Sequence, residues 1–128
     1  MSTEPKNTQA RRPDAGLRWA GRVLFLTTSA LVLDLAFQPG HATQPDLFGF
    51  DKLEHIAAFF TLTVLMRIGW PGRAHILQTA LLMAFGLFIE LVQATDLVGR
   101  TASWADVVAD MIGILIGMFC SLFIGRRL

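Results

Sequence analysis

The chain has 128 residues, 53% of them hydrophobic and only 16% charged, with a formal net charge of +1 and a mean hydropathy of +0.51. A soluble domain carries roughly a quarter charged residues, and disorder needs low hydrophobicity with high charge, so both are excluded and a small helical membrane protein is left. Near-neutral charge argues against nucleic acid as a partner, and the single Cys120 removes any disulfide framework or multi-cysteine zinc site.

Residues 1–16 are polar, include Pro5 and Pro13, and read as a disordered tail. Residues 17–128 then read as one all-α membrane domain. Apolar segments fall at 17–37, 53–69, 74–94 and 105–125. Each is near the roughly 20 residues that cross about 30 Å of hydrocarbon, the second being the shortest. Gln38-Pro39-Gly40, Trp70-Pro71-Gly72 and residues 96–103 supply the breaks. Connections this short predict four transmembrane helices in an antiparallel bundle.

Two other readings fit the same residues less well. A soluble four-helix bundle needs a solvated face on every helix, and residues 111–124 offer little polar surface on any side. Gly40-His41-Ala42 loosely suits a signal-peptide cleavage site, but Asp34 interrupts the apolar core and a long tail precedes it, which favours an uncleaved first span.

Orientation follows the basic residues. Lys6, Arg11, Arg12, Arg18 and Arg22 precede or open the first span, Arg67 and Arg73 flank the middle turn, and Arg126 and Arg127 close the chain. The other two loops hold only Lys52 and Arg100. Both termini and the middle turn are therefore expected in the cytoplasm. Trp19, Trp70 and Trp104 fall at span ends, as an interfacial belt places them.

Ionisable groups inside spans are costly and face a bundle interior or a wet cavity. This topology gathers them at the outward end. Asp34 lies late in the first segment; Asp51, Lys52 and His55 open the second; Glu90 and Gln93 close the third; Arg100, Ser103, Asp106 and Asp110 introduce the fourth. At about 100° per residue, Asp106, Asp110, Gly113 and Gly117 share a stripe of roughly 60°. Gly113 and Gly117 form a small-xxx-small pair that permits close helix approach, so the two carboxylates are expected to point into the bundle. The same pair is a candidate homodimer contact.

These residues resemble a family. Asp51-Lys52-Leu53-Glu54-His55, Glu90-Leu91-Val92-Gln93, Arg100 with Ser103 and Asp106, and then Gly113 follow the pattern of the VanZ-like membrane proteins. That pattern is D-K-x-x-H opening one span, E-x-x-Q closing the next, R-x-x-S-x-x-D, and a following A-N-x-x-G. The match runs from about residue 50 to 117 with order and spacing kept, except that Asp110 stands where the family usually has Asn. The resemblance implies a multi-pass protein of the bacterial cytoplasmic (inner) membrane, in a family named for a protein linked to teicoplanin resistance.

Two functional expectations follow from the cluster. In the first, Asp51, Lys52, His55, Glu90, Gln93, Arg100, Ser103, Asp106 and Asp110 form a polar site that binds or modifies an anionic or lipid-linked cell-envelope intermediate. Arg100 and Lys52 would hold a phosphate or carboxylate, and His55, Glu90 and Asp106 are the candidates for acid–base work. In the second, the cluster is a non-catalytic interhelical lock between oppositely charged residues. A metal site built from Asp51, His55, Glu90 and Asp106 is opposed by Lys52 and Arg100, so neither a metal nor another cofactor is expected. Membrane lipid is the surrounding partner.

Overall fold

The structure, a computed structural model, describes residues 14–37, 50–95 and 104–127, with side chains described for 14–37, 52–95 and 104–123. The proposed tail lies outside the described residues up to residue 13. The described chain is all-helical: α1 (Ala15–Ala36), α2 (Phe50–Gly69), α3 (His75–Gln93) and α4 (Trp104–Arg127). Helix α1 begins two residues before the expected boundary because Asp14 caps it, its carboxylate accepting from the Leu17 amide at 2.7 Å.

The helices alternate in direction. The start of α1 meets the end of α2, where Arg22 reaches Gly69. The ends of α1 and α3 meet where Gln93 reaches Ala36. Helices α2 and α4 run parallel, with Lys52 beside Asp106, His55 beside Asp110, and Thr63 beside Gly117. This is the up-down-up-down order expected of short connections. The bundle thus has an upper end, holding Ala36, Lys52, Glu90 and Asp106, and a lower end holding Arg22, Gly69, Trp70 and Gln78.

Helices α1, α3 and the Trp104–Phe123 part of α4 are long and apolar enough to cross a membrane. Helix α2 has the length but carries Asp51, Lys52, Glu54 and Arg67. It packs against all three others, so the most polar helix is the one most enclosed by protein. Its Phe59 and Leu62 join Leu82 and Ile89 of α3 and Ile114 and Met118 of α4 in the buried core. Helix α1 is peripheral, with Gly21 its only buried residue.

Close approach of α2 and α4 depends on glycine. A Cβ at Gly113 would stand 2.5 Å from the Ile56 carbonyl oxygen, and one at Gly117 would stand 2.7 Å from Thr63 Cβ. The stripe offered above as a homodimer contact is therefore occupied by α2 of the same chain. This bears out the inward direction expected for Asp106 and Asp110, which are both buried.

The lower end is closed by side chains that satisfy the last carbonyls of α2, groups that a helix C-terminus otherwise leaves unbonded. Arg22 Nε donates to Gly69 O at 2.8 Å, and its guanidinium lies over the rings of Trp19 and Trp70. Gln78, buried on α3, donates to Trp70 O at 2.9 Å and accepts from Arg67 Nη1 at 2.7 Å.

Candidate functional site

Three helices deliver polar side chains to the upper end. Helix α2 contributes Lys52 and His55, which one turn of helix places on the same side. Helix α3 contributes Glu90, and α4 contributes Asp106 and Asp110, again one turn apart. Lys52 Nζ forms an ion pair with Asp106 Oδ1. His55 Nδ1 lies 2.8 Å from Asp110 Oδ1, and its Nε2 lies 4.0 Å from Asp106 Oδ2. One ring nitrogen is thus at hydrogen-bond distance from Asp110 while the other faces Asp106.

The cluster is layered by exposure. The side chains of Lys52 and His55 retain 36% and 19% of their accessible surface, whereas Asp106 and Asp110 retain 8% and 2%. Glu90 is buried as well. The cationic and titratable members are the accessible ones, and the carboxylates lie beneath them.

Glycine again makes the geometry possible. A Cβ at Gly86 of α3 would stand 2.8 Å from Asp110 Oδ2, so the Asp110 carboxylate sits where α3 has no side chain. Glu90 lies one turn further along the same helix. His55, Glu90 and Asp110 each offer a donor atom within 4.8 Å of the others, a group that could hold a metal ion.

The structure thus brings together five of the expected site residues: Lys52, His55, Glu90, Asp106 and Asp110. Gln93 is buried nearby, but its amide donates to Ala36 O at 2.9 Å, tying α3 to the end of α1. Asp34 is exposed on α1. The side chain of Asp51, and residues Arg100 and Ser103, lie outside what the structure describes.

Sequence reading missed the part played by Gly86, which stands alone in α3 with no small-residue repeat to mark it. It also counted Arg22 and Arg67 only as topology signals, although both bond the polypeptide at the lower end.

Neither curated proteins nor solved structures yield a match to this chain. A family model described as VanZ/LLP1 matches residues 5–125. That match includes every motif of the upper-end cluster, and the chain belongs to the VanZ/LLP1 family.

Proposed function

We propose that the upper end of the bundle binds an anionic, lipid-linked component of the bacterial cell envelope, and that this binding underlies any effect on glycopeptide susceptibility. The observation that carries the reading is the layering of the cluster. Lys52 and His55 stand accessible above Asp106, Asp110 and Glu90, so an incoming anion meets the Lys52 ammonium and an imidazole before the carboxylates. Arg100, ten residues after Glu90 in the chain, is of the type whose guanidinium holds phosphate or carboxylate in bidentate fashion. Buried ionisable groups in a membrane bundle mark functional sites by default, and the number of them here exceeds what one interhelical pair requires. The protein resides in the cytoplasmic membrane with both termini inside, following its Lys/Arg distribution. The site then faces the outer leaflet, where lipid-linked envelope intermediates present their headgroups.

A second reading is favoured by the contacts between Lys52 and Asp106 and between His55 and Asp110, both of which join α2 to α4. Here the cluster is an interhelical lock that fixes register. The two readings separate by mutation. In the binding reading, Arg100→Gln leaves helicity and thermal unfolding in detergent near wild type while the cellular response to glycopeptide antibiotics is lost. Loss of folding in proportion to loss of response in that variant supports the lock and overturns the site.

A further inference from the structure

His55, Glu90 and Asp110 come from three different helices and converge beneath Lys52. Each presents one donor atom, all within 4.8 Å of one another. Glu90 retains 4% of its accessible surface and Asp110 2%, so two of the three donors are held inside the protein. One imidazole nitrogen with two carboxylate oxygens is a mixed donor set suited to divalent first-row ions. Side chains projecting inward from facing helices are how bundles build carboxylate–histidine metal sites.

Tetrahedral ligand atoms at about 2.1 Å from one ion stand about 3.4 Å apart, so side-chain adjustments of roughly an ångström bring the trio, now within 4.8 Å, into a coordination sphere. Within it, His55 Nδ1 and Asp110 Oδ1 are already joined by a hydrogen bond of 2.8 Å. A cation takes the place of the hydrogen-bonding proton when it binds. Lys52, the charge that weighs against a metal in the sequence, is turned to Asp106 instead.

We propose that His55, Glu90 and Asp110 form a binding site for one divalent transition-metal ion, zinc or manganese. Three protein ligands leave a coordination position for an oxygen from outside the chain, and an anionic headgroup offers such an oxygen. The site stands on its own donor geometry and goes beyond the headgroup reading.

The test uses the full chain, purified in detergent, stripped with a chelator and titrated separately with Zn2+ and Mn2+. Bound metal per chain is measured by elemental mass spectrometry after desalting. The expected result is one equivalent of at least one of these ions. His55→Ala, Glu90→Gln and Asp110→Asn should each weaken binding by at least about tenfold, since even outer partners of metal ligands cost that much. His75→Ala, which removes an exposed histidine at the lower end, should leave binding unchanged. No stoichiometric binding of either ion by the wild-type chain overturns the proposal, as does binding equally strong in all three folded variants. If the variants do not fold, pulsed EPR of the Mn2+-loaded wild-type chain decides. Imidazole nitrogen coupling is expected, and its absence overturns the site. No lipid enters these measurements, so their outcome is independent of the antibiotic-response test above.

Discussion

His55 Nδ1 lies 2.8 Å from Asp110 Oδ1, linking α2 to α4 just above the point where Gly113 lets the two backbones meet. The polar contact and the glycine contact hold the same helix pair. Asp110→Ala removes the carboxylate and leaves the histidine facing a void. Losing a hydrogen bond that involves a charged group costs about 1.5–3 kcal/mol. Asp110→Asn keeps a hydrogen-bonding partner for Nδ1 and should lose less. Unfolding in detergent followed by circular dichroism checks the order; equal losses would contradict the hydrogen-bonded role of Asp110.

The glycines give a sharper packing prediction. Gly113→Ala and Gly117→Ala place a methyl against the Ile56 carbonyl and Thr63, whereas Gly72→Ala meets nothing within 4 Å. Overpacking of this kind costs about 1–3 kcal/mol, so the first two should be destabilised and the third near neutral. Mass by light scattering should be the same for all three, because the stripe packs within the chain. A selective loss of dimers in the Gly113 and Gly117 variants would restore the homodimer reading of that face.

At the lower end, Gln78→Leu deletes the donor to Trp70 O and the acceptor for Arg67. Groups left unsatisfied in a buried site cost about 1–3 kcal/mol, more when charged. Unfolding measurements should show a loss in that range, partly relieved when Arg67→Met is added. A double variant less stable than the two single losses added together would contradict a direct Arg67–Gln78 interaction.

Orientation is checked by reporter fusions. Those at Pro45 and Val98 should report the outer side, and one at Pro71 should report the cytoplasm. The reverse pattern would place the polar cluster at the inner surface and remove its access to outer-leaflet headgroups.

Helix number, order and alternation were legible because apolar runs and Pro/Gly breaks are local features. The inward direction of Asp106 and Asp110 was legible because helical periodicity ties them to Gly113 and Gly117. Pairing was not. Spacing alone left Lys52 facing several carboxylates, and only the parallel packing of α2 on α4 assigns it to Asp106 and His55 to Asp110. The partner of Gln93 was illegible for a similar reason, since it is a backbone carbonyl at the end of α1 that no side-chain pattern reveals. Helix α2 shows the opposite case: its charges make it a weak span by composition, and burial among three helices makes it the centre of the bundle.

The central claim is that the upper-end cluster is a ligand site, and native mass spectrometry of protein released from its own membrane tests it most directly. The account predicts a co-purified anionic lipid species on the wild-type chain that is lost from a folded Arg100→Gln variant. A wild-type chain without bound lipid, or the same adduct retained by the variant, would contradict it.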